Sequence, residues 1–275
     1  MTRINVLLEN FTINENYVPK HGFSLLIDHN NTGILLDVGP DGKFIKNAKS
    51  MNADLSKAEY LFLSHAHHDH TGGLNEFIEI NTAARIYLMD SIHSKYYAKN
   101  QSSHISIGLN VKEENYSRII QLNDDLVIDN KIFFLKNTVS DYIKPTFNKV
   151  LFKEDNGELV NDTFDHEGIL VLEDNNELHI FNSCSHNGIL NIIKTVKTKF
   201  PGKTIKTYVG GLHLCNPATK EQESADYLDS LTEEIKKMNI IIYTGHCTGK
   251  YAIDYMKEKL GKTIQEINTG MILDL

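Results

Sequence analysis

Three cysteines and five prolines are all that 275 residues contain. Cys184, Cys215 and Cys247 are an odd number without the spacing of a disulfide framework, so the fold must stand without covalent cross-links. No Pro-rich linker and no low-complexity stretch divides the chain. No apolar run approaches the length of a membrane span, so no membrane association is expected. The opening stretch, MTRINVLLENFTINEN, is a short apolar run broken by Glu9 and Asn10, and it lacks the long apolar segment and cleavage site of a signal peptide. A cytoplasmic location is the expectation. Positive charge is also in deficit: 28 Lys and Arg against 36 Asp and Glu give a formal net charge of -8. A general nucleic-acid binder would be basic, so no nucleic-acid partner is expected.

What is present suits a soluble globular fold. Hydrophobic content is 41% and charged content 23%. Short β-like runs alternate with helical stretches, the pattern of an α/β protein. FSLLIDHNNTGILLDVG (23–39) reads as two strands joined by an Asn/Gly turn, and YLFLS (60–64) as a buried strand. Later, GILVLEDNNELHIFNS (168–183) reads as another hairpin with an Asn-Asn turn. A helix, ILNIIKTVKTKF (189–200), follows it. TKEQESADYLDSLTEEIKKMN (219–239) predicts one long amphipathic helix with a capping box at Thr219 and Gln222, and IQEINTGMILDL (264–275) a final strand. Residues 91–117 are polar and poorly patterned. Both hairpin regions run on through Ser-His and Gly into a helix, a weak internal repeat. It predicts a single domain over 1–275, with similar halves at about 1–130 and 150–275.

SHAHHDHTGG (64–73) packs four histidines and an aspartate into six positions. Imidazole and carboxylate are ligands suited to zinc, iron and manganese. The end of a strand sends alternate side chains to one side, so His65 and His67 can converge on one ion. The turn that follows can aim Asp69 and His70 at a second ion. Alternation sends His68 away from His67, to the surface or to a supporting position.

The string His65-x-His67-x-Asp69-His70 resembles the signature of the metallo-β-lactamase fold superfamily. HGFSLLID, ILLDVGP, LSHAHHDHTGGL, SCSHNGILNI, VGGLHL and GHCTG, in this order, resemble more narrowly the dihydropterin-ribofuranosyl-aminobenzene-phosphate synthase-like proteins. The resemblance implies a four-layer αβ/βα sandwich with pseudo-twofold halves, and one or two divalent metal ions at the edge of its sheets. Zinc is the first choice, iron or manganese the alternatives. It implies His186 as third ligand of the first metal and His246 as late ligand of the second. Asp37 would orient ligands without binding metal itself. His21 would border the pocket. Hydrolases of this fold usually place a metal-bridging aspartate where VGGLHL has His213, which therefore either ligates the second metal or contacts substrate as an acid. Cys247 reads as a small buried hydrophobe, whereas Cys184 and Cys215 stay open.

A metal with three protein ligands and an open position turns water into hydroxide near neutral pH. Asp69 can then take the proton of the nucleophile as well as hold the metal. The expected function is a metal-dependent hydrolase using a metal-bound hydroxide on an ester, phosphoester or related bond of a small molecule, pterin- or phosphate-containing. Three alternatives remain. One is a phosphodiesterase acting on RNA or cyclic nucleotides, and another is a di-iron redox enzyme, which would normally carry more carboxylate ligands and a flavin domain. The third is a metal-holding sensor or binding protein that has lost catalysis, a reading kept open by His213.

Overall fold

The structure, a computed structural model, describes residues 1–89, 92–100 and 102–275. The run RIYLMD (85–90), whose pattern reads as a strand, and the poorly patterned stretch 91–117 each include residues outside that set. The first half lays down β1 (Thr2–Leu8), β2 (Ser24–His29), β3 (Thr32–Leu36), β4 (Ala58–Leu63), β5 (Arg85–Met89), β6 (Tyr96–Lys99), β7 (His104–Ser106), β8 (Ile119–Leu122) and β9 (Leu126–Ile128). The second supplies β10 (Ile132–Lys136), β11 (Leu151–Asp155), β12 (Glu158–Asn161), β13 (Gly168–Asp174), β14 (Glu177–Phe181), β15 (Thr204–Val209), β16 (Ile241–Thr244), β17 (Ile264–Glu266) and β18 (Ile272–Asp274). The helices are α1 (Lys43–Ser50), α2 (His68–Thr71), α3 (Leu74–Ile80), α4 (Ile189–Lys199), α5 (Ala225–Lys236) and α6 (Lys250–Leu260).

Two seven-stranded sheets form, in the orders β18-β1-β2-β3-β4-β5-β8 and β17-β16-β15-β14-β13-β10-β9. Each is organised the same way. A hairpin with an Asn-Asn turn comes first: Asn30 and Asn31 have φ of 53° and 68°, Asn175 and Asn176 of 49° and 67°. Positive φ at both central residues matches the right-handed twist of the flanking strands, and asparagine tolerates it better than most residues. Parallel strands then follow, β3-β4-β5-β8 in one sheet and β14-β15-β16-β17 in the other. This is the physical content of the sequence repeat.

The central strands of the sandwich bury both faces, so their sequences are mostly apolar and alternation decides which layer each residue enters. Ile34 and Leu36 of β3 face the space between the sheets, as do Leu170 and Leu172 of β13. Leu35 packs instead under α1 and α3, and Ile169 and Val171 under α4, α5 and α6. Phe62 and Phe134 meet across the central layer at 5.0 Å. The result is the four-layer αβ/βα sandwich.

Four features differ from the sequence reading. The helix expected over 219–239 begins only at Ala225, capped by the Ser224 hydroxyl, which accepts from the Tyr227 N–H. The Thr219–Gln222 box does not form because Gln222 is paired with Cys215, as an isolated bridge and through its Nε2 at 3.0 Å from Sγ. The single last strand is two, separated by a turn at Asn268–Gly270: β17 ends the second sheet, and β18 crosses to pair with β1 in the first. Conversely β9, inside the expected first half, joins the second sheet. Finally, β6, β7, β11 and β12 combine into a third sheet, β12-β11-β6-β7, which the local pattern did not announce. Among the described residues no helix is long and apolar enough to cross a membrane.

Candidate metal centre

The parallel strands β3, β4, β14, β15 and β16 deliver the chain at their carboxyl ends to one edge of the sandwich, where open α/β sheets place their ligands. The loops leaving them are tightly bent. Asp37, Ser185, His213 and His246 all take φ between 50° and 58°. Such left-handed backbone costs on the order of 1 kcal/mol or more per residue and persists only where the surroundings enforce it. Gly210, with φ of 148°, lies so close to Asn182 that a Cβ would sit 1.8 Å from its carbonyl oxygen. Only glycine lets β15 feed the edge here.

His65, His67 and His186 converge: one candidate ligand atom of each lies within 4.8 Å of the others. Their Nε2 atoms are buried and have no hydrogen-bond partner. Asp162 Oδ2 stands 3.9 Å from His67 Nε2, beyond hydrogen-bonding range. The opposite nitrogens are engaged where orientation requires it: His65 Nδ1 with Ser64 Oγ at 2.8 Å, and His186 Nδ1 with Asn148 Oδ1 at 3.0 Å. Burial holds all three imidazoles neutral, His65 and His186 well below the usual range and His67 at about 3. Neutral imidazoles with free, converging lone pairs are what a divalent cation requires. Left unmatched, each such atom would cost roughly 1–3 kcal/mol.

A second group centres on Asp69, whose Oδ2 lies 3.3 Å from His21 Nε2, 3.4 Å from His246 Nε2 and 3.5 Å from His70 Nε2. Burial alone would raise the Asp69 carboxyl, but His70, His21 and His246 outweigh it and hold it well below the usual range. Burial opposes charge on His70 too, yet Asp69 and Asp37 prevail and lift it to about 10. The His21 and His246 rings stack at 4.8 Å. Asp37 is fully buried and binds around the edge: Oδ1 accepts from the Ser64 N–H at 2.7 Å, and Oδ2 from Ser64 Oγ at 2.7 Å and His70 Nδ1 at 2.8 Å.

His213 follows the glycine pair. Leu212 and Leu214 enter the core on either side of it, while its ring stands 4.2 Å from that of His186. Both its nitrogens are buried without a partner, and among the described residues it joins no group of converging ligand atoms. His68 departs from the expectation. It is half-buried and lines the cavity, because α2 begins at His68 and helical geometry replaces strand alternation. Cys247 is buried as expected, and its Sγ groups with Cys184 and His246 on the cavity wall, whereas Cys215 turns to Gln222 outside the cavity.

Several supporting residues escaped the sequence reading. The Glu167 carboxylate accepts from the His186 and Asn187 N–H groups at 2.7 and 2.8 Å and from Asn187 Nδ2 at 2.9 Å; burial pushes its pKa up. The Glu9 carboxylate accepts from the Phe11 N–H at 2.7 Å and from the His246 N–H, and burial raises it to about 7. His246 Nδ1 pairs with Asn10 Oδ1 at 3.1 Å. His166 accepts from the Ala66 N–H through Nδ1 and donates to Asp162 through Nε2, tying the histidine loop to the second sheet. Glu9 closes the apolar run VLL, but nothing local marks a carboxylate there as buried.

The two groups open into a cavity of about 260 Å³ walled by Ile107, Phe147, Val150 and Leu151 and reached by Lys99 and Asn216. A larger groove of about 720 Å³ between Tyr142 and α5 carries none of the clustered histidines.

Residues 17–128 match the family model of the metallo-beta-lactamase superfamily. The chain is 29% identical to the 7,8-dihydropterin-6-methyl-4-(beta-D-ribofuranosyl)-aminobenzene-5'-phosphate synthase of Methanocaldococcus jannaschii, over 98% of this chain and 96% of that protein. It superposes on Tm1679, a metal-dependent hydrolase of the beta-lactamase superfamily, with a TM-score of 0.83 and 27% identity, covering 100% of this chain and 99% of the other. Zinc-bound PqqB from Methylobacterium extorquens shares the fold alone, with a TM-score of 0.59 and 12% identity over 99% of this chain and 100% of that one. A sandwich of this build, a family model that spans the histidine cluster over residues 17–128 and a structure shared end to end with a superfamily hydrolase give this chain the metallo-β-lactamase fold.

Proposed function

We propose that the chain is a hydrolase dependent on one or two divalent metal ions, zinc first, acting on an ester, phosphoester or related bond of a small molecule. The observation that carries this reading is the convergence of three buried, unpartnered Nε2 atoms from His65, His67 and His186. These residues would hold the first ion, and Asp69, His70 and His246 the second, with His21 beside them. A bound divalent cation supplies a nucleophilic water at neutral pH and draws charge from the substrate oxygen.

The chain's own groups do the rest. Asp69, the one carboxylate among the clustered histidines of the second group, accepts the proton of the attacking water. His213 faces the cavity over His186 with both nitrogens free, where it donates a proton to the leaving group or contacts substrate. Lys99 at the cavity offers a cation to a phosphate-bearing substrate, and the apolar wall suits a flat ring. Both agree with the pterin, aminobenzene and phosphate in the name of the M. jannaschii relative. A net charge of -8 favours a small molecule over a nucleic acid. The three free cysteines suit the reducing cytoplasm.

A second reading, a metal-holding sensor or binding protein, draws support from His213, because no carboxylate stands there to bridge two ions. Metal analysis of protein purified without added metal, then ester and phosphodiester probes with and without chelator, separates the two. Metal content that His65→Ala abolishes, with turnover that a chelator removes, supports the hydrolase. Metal without turnover favours the binder, and a metal-free protein refutes both.

A further inference from the structure

We propose that the Cys184 thiolate is the anionic ligand shared by the two metal positions, taking the place that a bridging carboxylate would occupy. This rests on the two-ion reading of the centre and adds a residue to it. Cys184 is buried, two residues before His186 on the loop that leaves β14. Its Sγ stands 3.2 Å from His70 Nε2. It lies within 4.8 Å of candidate ligand atoms of both His65 and His70, and within the same limit of those of His246 and Cys247. His65 belongs to the first group, His70 and His246 to the second, so this one sulfur reaches both.

The atoms facing it point the same way. His65 Nε2 and His246 Nε2 are buried and unpartnered. Hydrogen bonds hold the loop that carries the sulfur: Asn182 Oδ1 accepts from the Ser185 N–H at 2.6 Å, Ser185 Oγ donates to the Gly211 carbonyl at 2.5 Å and pairs with the Tyr208 hydroxyl at 2.5 Å, and Glu167 accepts from the next two N–H groups. His213 is excluded from the role by its place over His186, outside every converging group among the described residues. A neutral imidazole has one lone pair to offer, whereas a thiolate has several and can bind two cations at once. On coordination the S–H bond breaks, the proton leaves to solvent and the electron pair stays on sulfur. A soft ligand at this position also favours zinc over manganese.

The test uses metal-free full-length protein titrated with cobalt(II), in wild type, Cys184→Ser and Cys247→Ser. Wild type should take up two ions and show a near-ultraviolet thiolate-to-cobalt charge-transfer band. Cys184→Ser should lose the band, keep one ion and bind the second at least ~10-fold more weakly, while Cys247→Ser keeps the band. Zinc X-ray absorption on wild type needs no variant: a bridge gives about one sulfur neighbour per zinc near ~2.3 Å in the two-ion protein, a terminal thiolate about half that. Two ions without the band, a band lost only in Cys247→Ser, or the half-occupied sulfur shell overturns the bridge and leaves the metal centre standing. No uptake of cobalt by wild type overturns the metal centre and the bridge together.

Discussion

Asp37 Oδ2 accepts a hydrogen bond from His70 Nδ1 at 2.8 Å, with both groups fully buried and 33 residues apart. The bond holds Nδ1 as a donor to Asp37 and leaves Nε2 directed at Cys184 and Asp69. The same carboxylate takes both donors of Ser64, whose hydroxyl in turn meets His65 Nδ1. One buried aspartate thereby orients a histidine of each group. Supporting partners of this kind set ligand geometry and basicity.

Asp37→Asn should therefore weaken metal binding by ~10–100-fold without changing the ligand set. Calorimetric titration of metal-free protein reads this directly. Unchanged affinity for both ions would show that Asp37 serves only to fold the loop.

His213→Ala should retain the metal content of wild type while turnover of an ester or phosphodiester probe falls by ~10²–10⁴. The expectation follows from two free nitrogens facing the cavity and from the absence of His213 from the converging groups among the described residues. Loss of one ion from the variant would instead make His213 a ligand.

Glu167→Ala removes the acceptor of two N–H groups and one side-chain amide beneath the His186 loop. Each buried donor left unpaired costs about 1–3 kcal/mol, and partial relaxation should leave a net loss of about 2–4 kcal/mol. Urea unfolding of metal-free protein measures it. A change below about 0.5 kcal/mol would mean that water or another carbonyl replaces the carboxylate.

Asp41, in the loop before α1, pairs with Lys20 at 2.6 Å and Lys43 at 2.8 Å. Burial would raise its carboxyl, but the two lysines outweigh burial and hold it at about 2, against an ordinary 3.8. A carboxylate lowered in the folded state stabilises the fold above its unfolded value and loses that contribution as pH falls through the folded one. The stability gap between wild type and Asp41→Asn should thus be full above pH ~4 and close toward pH ~2. A gap that stays constant between those values would show that the pairs do not couple to folding.

Local chemistry was legible in the sequence. The spacing His65-x-His67-x-Asp69-His70 needs only a strand end and a turn to present its donors, and both are written beside it in YLFLS and Gly72-Gly73. The Asn-Asn turns and the apolar runs around them announced both hairpins, since a two-residue turn and a strand buried on both faces leave marks within a few residues. The tertiary structure decided what depends on distant chain meeting. Nothing near Gln222 says that it will pair with Cys215 and delay α5 until Ser224, and nothing in MILDL says that it will cross to β1. Cys184 meets His70 across 114 residues, and Glu9 reaches His246 across 237. Such pairs form because a buried donor or acceptor must find a partner wherever the packed sheets bring one. Periodicity and spacing select strands, turns and ligand types, whereas only the closed sandwich determines which of those ligands share a site.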